Sequence, residues 1–288
     1  MKFAKMQGTG NDFILVEAQG EERDWPGLAR ALCDRHFGIG ADGLILVLPS
    51  RLAEVRMRIF NPDGSEAEMC GNGIRCLTRY AVERGLAEPN EGGIAIETVP
   101  GILMAQLFTE DGRTHNVRVS MGQPRFAPAE IPIQAKVITE GPVLDLPLAI
   151  EGEHLELTCL SMGNPHAVHF TSEPVENFPL ETIGPKIETH PLFPKRVNFE
   201  VVRVLARDSM EVRVWERGVG ATLACGSGAC AAMVAARLHG LVDDRVDIKL
   251  PGGTLTVEWD GSNEAYLTGP AELVFEGEWF GEKSFNKN

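Results

Sequence analysis

Cys70–Leu86 reads CGNGIRCLTRYAVERGL, and Cys225–Leu241 reads CGSGACAAMVAARLHGL. Each stretch opens on Cys-Gly-x-Gly and carries a second cysteine, Cys76 or Cys230. Each closes fifteen residues after its first cysteine on Gly-Leu, at Gly85-Leu86 and Gly240-Leu241. Apolar residues recur at Ile74, Leu77 and Ala81 in the first and at Ala229, Ala232, Met233 and Ala236 in the second. That spacing predicts a helix in each, with the glycine of Gly-Leu at the C-terminal cap. The leading cysteine then stands at a helix start. There, free backbone N–H groups and the positive end of the helix dipole are expected to lower a thiol's pKa, and the glycines let a ligand approach those N–H groups.

The repeat extends beyond the two cysteine stretches. Gly10-Asn11 before a strand corresponds to Gly163-Asn164 before Ala167–Phe170, an offset of 153. Arg58-Ile59-Phe60-Asn61 ends nine residues before Cys70, as Arg213-Val214-Trp215-Glu216 ends nine before Cys225. Pro100-Gly101 matches Pro251-Gly252, and Asp111-Gly112 matches Asp260-Gly261. A near-constant offset over half the chain is the signature of a duplicated domain. Two like domains facing one another would present two helix starts, each with a cysteine, to one cleft. Base and acid on opposite faces of one carbon are what inversion of a stereocentre requires. Glycine-rich helix starts are suited to hold the carboxylate on which charge develops.

Composition excludes several other classes. The chain has 288 residues, 43% hydrophobic and 24% charged, with a net charge of −14. This suits a globular protein of one large or two ordinary domains, and gives no basic stripe for nucleic acid or an anionic membrane. The start, MKFAKMQGTGND, has no apolar leader segment, and the longest apolar runs are strand-sized. Six cysteines without a Cys-x-x-Cys pair read as reduced thiols, which predicts a cytoplasmic protein. Cys33, Cys76, Cys159 and Cys230 are read as core residues, and zinc ligation is disfavoured by the spacings. Gly38–Gly43, GIGADG, fits G-x-G-x-x-G, but it follows a helix and precedes a strand, the reverse of dinucleotide-binding order. No other cofactor motif is present, so the expectation is an enzyme needing no cofactor.

In chain order the pattern predicts strands at Phe3–Met6 and Phe13–Glu17, a helix over Leu28–His36 started by Asp24 and Pro26 and stopped by Gly38, then strands at Leu44–Leu48 and Val55–Phe60. An antiparallel meander follows over Ile94–Val99, Ile102–Phe108 and Asn116–Ser120. Prolines at 124, 128, 132, 142 and 147 mark a linker or domain boundary, with room for short edge strands such as Lys136–Thr139 inside it.

Five stretches carry a family resemblance over nearly the whole chain: MQGTGNDF at Met6–Phe13, RIFNPDGSEAEMCGNGIRC at Arg58–Cys76, SMGNPH at Ser161–His166, RVN at Arg196–Asn198 and WERGVGATLACGSGAC at Trp215–Cys230. In these the sequence closely resembles the diaminopimelate epimerases, enzymes of lysine biosynthesis that interconvert LL- and meso-diaminopimelate without pyridoxal phosphate. The resemblance implies that Cys70 and Cys225 are the acid/base residues. It implies that the backbone amides of Gly71, Asn72, Gly226 and Ser227 hold the reacting carboxylate, and that His166 and Glu216 tune the thiols. It also assigns Asn11, Asn61, Asn72, Asn164, Asn198, Glu216 and Arg217 to substrate binding; amides with an Arg and a Glu suit a substrate zwitterionic at both ends. Two positions depart from the family: Gly43 stands where some members carry glutamine, and Ala221 where many carry an acidic residue.

The expected architecture is α+β, two similar pseudo-twofold-related domains, each a curved, mostly antiparallel sheet around a central helix. The boundaries expected are residues 1–122 and 123–272. The resemblance adds that a C-terminal strand around Glu272–Glu282 returns to the first domain, which therefore includes residues 273–288. Diaminopimelate is the expected small-molecule partner. Nothing in the sequence sets the oligomeric state, a homodimer being one arrangement it allows. A two-cysteine racemase of proline or hydroxyproline is an alternative, opposed by Asn72, Asn164, Asn198 and Arg217. A non-catalytic binding protein on the same fold is another, opposed by the paired cysteines.

Overall fold

A computed structural model of the chain describes residues 1–20, 23–67, 69–110, 113–134 and 141–281. By its internal contacts the chain divides into two compact units, Met1–Val119 joined by the segment from Gly269, and Ser120–Thr268. Among the described residues no helix is long and apolar enough to cross a membrane. The expected turn Asp111-Gly112 and edge strand Lys136–Thr139 lie outside the described residues.

The first unit opens with β1 (Lys2–Gly8) and β2 (Asn11–Glu17), an antiparallel hairpin turned by Thr9-Gly10 with both residues at positive φ, 57° and 80°. Helix α1 (Trp25–Cys33) follows, its N-terminus capped by Asp24 Oδ1 accepting from Gly27 N at 2.9 Å. This helix ends earlier than the periodicity suggests. The Asp34 carboxylate accepts from the backbone N–H groups of His36 and Phe37, both at 2.7 Å, and so turns the chain out before His36. Strand β3 (Gly43–Leu48) pairs parallel with β2, β4 (Val55–Phe60) antiparallel with β3, and short β5 (Glu66–Ala67) with β4. Helix α2 (Gly71–Glu83) leads to β6 (Ile94–Thr98), parallel to β4, and then to the antiparallel strands β7 (Gly101–Glu110) and β8 (Arg113–Ser120).

The second unit repeats this order strand for strand. β9 (Val143–Ile150), β10 (Glu153–Ser161) and β11 (Pro165–Phe170) run antiparallel in turn. Helix α3 (Leu180–Glu188) stands where α1 stood. β12 (Asn198–Ala206) is parallel to β11, β13 (Ser209–Glu216) antiparallel to β12, and short β14 (Gly220–Thr222) pairs with β13. Helix α4 (Gly226–Leu238) leads to β15 (Arg245–Leu250), parallel to β13, and to the antiparallel β16 (Gly253–Glu258) and β17 (Tyr266–Pro270). The final strand, β18 (Glu272–Glu278), pairs antiparallel with β1. It does for β1 what β9 does for β10, so each unit has the same nine-strand plan.

The segment expected to be a linker or domain boundary is bound to the second unit. Arg125 and Ser161 exchange two backbone hydrogen bonds at 2.9 Å, and Ile131 is buried. Its end is strand, with Pro147 opposite Glu156; β9 is seen to pair only with β10 among the described residues, so the missing N–H breaks no second ladder.

Two helices sit deepest. Every residue of α2 from Gly71 to Thr78 is buried, as is every residue of α4 from Gly228 to Ala236. Periodicity suggested one apolar face, but α4 is buried on all sides, and alanine at five of its positions between Ala229 and Ala236 lets the curved sheet close tightly around it. Both helices end in the same double hydrogen bond: Gly85 N to Val82 O and Leu86 N to Ala81 O, Gly240 N to Arg237 O and Leu241 N to Ala236 O, at 2.8 to 3.0 Å. The glycines take φ of 66° and 71°, which is why each repeat closes on Gly-Leu.

Candidate active site

Cys70 and Cys225 are the N-cap residues of α2 and α4, both with extended backbone. Each helix supplies carbonyl partners to its own amides only from its fourth residue, with Ile74 N bonded to Cys70 O and Ala229 N to Cys225 O, both at 2.9 Å. The amides of Gly71, Asn72, Gly226 and Ser227 therefore belong to the two donor-rich helix starts.

In the first unit, Cys70 is half-buried, and its Sγ lies 3.8 Å from Asn11 Oδ1, which also accepts from Asn72 Nδ2 at 3.2 Å. Asn11 is fixed from behind by Asp42, whose Oδ2 accepts from Asn11 Nδ2 at 2.7 Å. Arg35 bridges Asp12 and Asp42 at 2.8 and 2.7 Å, and Lys5 pairs with Asp12 at 2.6 Å. Burial alone would raise the Asp12 carboxyl, but Arg35 and Lys5 hold it down at about 2. Asn72 is fixed by the fully buried Arg75, whose Nη1 donates to Asn72 Oδ1 at 2.9 Å while Nη2 reaches Thr9 Oγ1 at 2.8 Å. The GIGADG loop thus contributes Asp42, an orienter of Asn11. Asn61, by contrast, bonds within its own turn, to Ser65 Oγ at 3.0 Å.

In the second unit, the Cys225 thiol is buried. It accepts from Gly228 N at 3.4 Å and lies 3.5 Å from Ser227 Oγ. Glu216 accepts from Thr222 Oγ1 at 2.5 Å, and its carboxyl acts electrostatically on the thiol. The thiol is pushed well above its ordinary value, first by burial and then by the Glu216 charge, against which the Ser227 and Gly228 hydrogen bonds pull in vain. This reverses the lowering expected from the helix start: desolvation outweighs the dipole. Burial also pushes the Glu216 carboxyl up.

His166 is fully buried, and its two ring nitrogens meet Glu200 and Asn164. Its Nε2 meets Asn164 Oδ1 at 2.9 Å, Asn164 Nδ2 donates to Ser227 Oγ at 3.2 Å, and Ser227 meets the thiol. Both ends of the Asn198 amide are engaged by protein, Nδ2 by Pro165 O and Oδ1 by Arg217 N, each at 2.9 Å. Asn198 therefore fixes the backbone at Arg217, whose side chain reaches Lys195 O at 3.2 Å. Of the two departing positions, Gly43 begins β3 and Ala221 lies in β14 opposite Trp215.

Asp42, Arg35, Arg75 and Glu200 are parts of these constellations that motif reading did not single out. Arg75 sits inside the CGNGIRC stretch, and a cation in an otherwise buried helix turn was a signal for it. Nothing local marked the others. Burial pushes the thiols of Cys33 and Cys76 up to about 12 and raises that of Cys159 as well.

The diaminopimelate epimerase family model matches residues 3–127 and 158–274. The chain is 54% identical over 282 residues to the diaminopimelate epimerase of Moorella thermoacetica, covering 97% of this chain and 99% of that protein. It is 50% identical over 282 residues to that of Pelotomaculum thermopropionicum, with the same coverage. Among solved structures, a probable proline racemase from Agrobacterium radiobacter with bound carbonate matches with a TM-score of 0.70 at 17% identity, over 99% of this chain and 94% of that one. A hydroxyproline epimerase from Agrobacterium vitis with bound trans-4-hydroxy-L-proline matches with a TM-score of 0.70 at 18% identity, over 96% of this chain and 91% of that one. At such identity these two establish a common fold.

Proposed function

The chain belongs to the diaminopimelate epimerase family, and from that premise we infer that it interconverts LL- and meso-diaminopimelate by a two-base mechanism in which Cys70 and Cys225 are the acid/base pair. The reaction serves lysine and peptidoglycan-precursor biosynthesis. The observation that carries the reading is that both cysteines cap buried, glycine-opened helices, each within a set of oriented amide and hydroxyl groups.

A thiolate removes the α-proton from one face of the carbon, and a thiol delivers a proton to the other. The electron pair left on carbon spreads into the carboxylate, where the N–H groups of Gly71, Asn72, Gly226 and Ser227 stabilise the developing charge. Cys70, half-buried beside Asn11 and Asn72, and Cys225, buried beside Glu216, are the two groups of this exchange, one entering as thiolate and the other as thiol, and the roles exchange in the reverse reaction. Glu216 and His166 set the proton affinity of Cys225, Glu216 directly and His166 through Asn164 and Ser227. Asn61, Asn198 and Arg217 complete the recognition of the distal amino acid. Nothing in this cycle calls on a cofactor. The cytoplasm, where thiols stay reduced, is the compartment in which such a pair persists.

The test is incubation of the reduced protein with LL-diaminopimelate in deuterium oxide without pyridoxal phosphate. The expected outcome is α-deuterium in newly formed meso isomer, with epimerisation reduced at least about 10³-fold in Cys70→Ala and in Cys225→Ala. Folded protein that exchanges no α-hydrogen would remove the reading. Undiminished epimerisation by either variant would remove the two-thiol mechanism.

A further inference from the structure

Beneath the first turn of α4 lies a carboxyl group with no part in the reaction as written. Glu200 in β12 is fully buried, as is His166 in the neighbouring β11. Glu200 Oε1 stands 2.7 Å from His166 Nδ1, while Oε2 has no hydrogen-bond partner among the described residues. Leaving a carboxylate oxygen dry and unpartnered is costly, so its retention asks for a reason. The helix above is shaped to admit it: a Cβ on Gly228 would lie 2.9 Å from Glu200 Oε1. Glycine in the first turn of α4 therefore leaves room for this carboxyl under Cys225.

Proton counting shows what the group does. His166 Nε2 faces Asn164 Oδ1, which only accepts, so Nε2 carries a hydrogen. One more proton then lies between Nδ1 and Oε1. Held on the ring it makes an imidazolium with a carboxylate, and held on oxygen an imidazole with a carboxylic acid. Both forms are neutral as a pair, as a dry pocket requires. Burial favours the protonated carboxyl and the neighbouring ring opposes it. Cys159, Glu216 and Cys225 are the other titratable groups within its electrostatic reach.

We propose that Glu200 is a positioning residue for the Cys225 half of the reaction: by sharing a proton with His166 Nδ1 it keeps Nε2–H aimed at Asn164, and so sets the Asn164 amide and the Ser227 hydroxyl against the thiol. The proposal rests on the reading of Cys225 as an acid/base group. Without Glu200 the ring is free to carry its hydrogen on Nδ1 and turn a lone pair to Asn164. That amide must then reverse, and Ser227 receives an acceptor in place of a donor.

Two substitutions separate this from a packing role. Glu200→Leu keeps the volume and removes the partner of Nδ1. Glu200→Gln can donate its amide N–H to Nδ1 and preserve the Nε2–H tautomer. In Glu200→Leu, kcat is expected to fall about 10²-fold with KM within about threefold, and in Glu200→Gln to recover to within about tenfold of the unsubstituted protein. Histidine-selective ¹⁵N NMR gives an independent readout. The His166 Nδ1 resonance lies at the position of an unprotonated ring nitrogen, with Nε2–H retained, in Glu200→Gln, and an Nδ1–H tautomer emerges in Glu200→Leu. Equal impairment of the two variants, full activity in Glu200→Leu, or an Nδ1–H tautomer of His166 in Glu200→Gln overturns the proposal. If Glu200→Leu does not fold, the Gln resonance alone decides. If the unsubstituted protein does not turn over diaminopimelate, the NMR arm still tests the pair, so the two failures are told apart.

Discussion

At the scale of single residues, the Cys225 half-site turns on which influence on the thiol is larger. Its place at a helix start argues for a low proton affinity, yet burial and the Glu216 carboxyl put it high. Glu216→Gln removes a negative charge and keeps the shape, so the thiol's proton affinity must fall. Alkylation of Cys225 by iodoacetamide, followed by peptide mass mapping across a pH series, should show its midpoint move down by about one unit or more. A midpoint that stays or rises would mean that Glu216 does not govern this thiol. The residues involved were unequally legible in the sequence. Cys70, Cys225 and the asparagines stand in unusual motifs that name them. Glu200, Asp42 and Arg35 act across strands or loops far apart in the chain, in plain contexts such as RVNFEVVRV, where a buried carboxyl cannot be told from an exposed one until the parallel β11–β12 register is known.

At the scale of elements, the central helices were legible because both of their ends are chemical signals: a Cys-Gly-x-Gly start and a Gly-Leu stop. The end of α1 is not legible from periodicity, which does not register Asp34 as a local cap. Pro179 and Pro185 disguise α3 in the sequence. The two ends of α4 have different tolerances. Gly240 lies at φ 71° with nothing within 4 Å of an added Cβ, so Gly240→Ala should cost about 1 kcal/mol through backbone strain alone and leave kcat unchanged. Gly228→Ala drives a methyl to 2.9 Å from Glu200 Oε1 and 3.3 Å from Cys225 Cβ, which displaces both. Its kcat should drop about tenfold or more at comparable stability loss. Urea melts and steady-state kinetics on the two variants check this; equal kinetics would show that α4's first turn has slack the distances do not suggest.

At the scale of the whole molecule, the duplication was legible as a constant offset, and the strand-by-strand plan of the two units is what such an offset means physically. The return of β18 to β1 was not legible from pattern, because Leu273, Val274 and Phe275 are all exposed and give no inward-outward alternation. One consequence reaches across both units. Cys33, Cys76, Cys159 and Cys225 all hold their protons more tightly in the folded chain than an exposed thiol does, burial being the largest cause at each. For a group whose folded pKa is raised, the folded state binds the proton that the unfolded state releases, so stability is intact below the ordinary thiol value of 9.0 and is lost as pH rises above it. Each thiol then contributes a slope of about 1.4 kcal/mol per pH unit until its folded pKa is reached. Urea denaturation under reducing conditions should therefore show a stability plateau near neutrality and a steep decline above pH 9, made shallower by Cys76→Ala once that variant's own cavity cost is subtracted at pH 7. A decline of the same slope in the variant would assign the alkaline loss to other groups, Tyr80 among them, whose hydroxyl is itself pushed up to about 12.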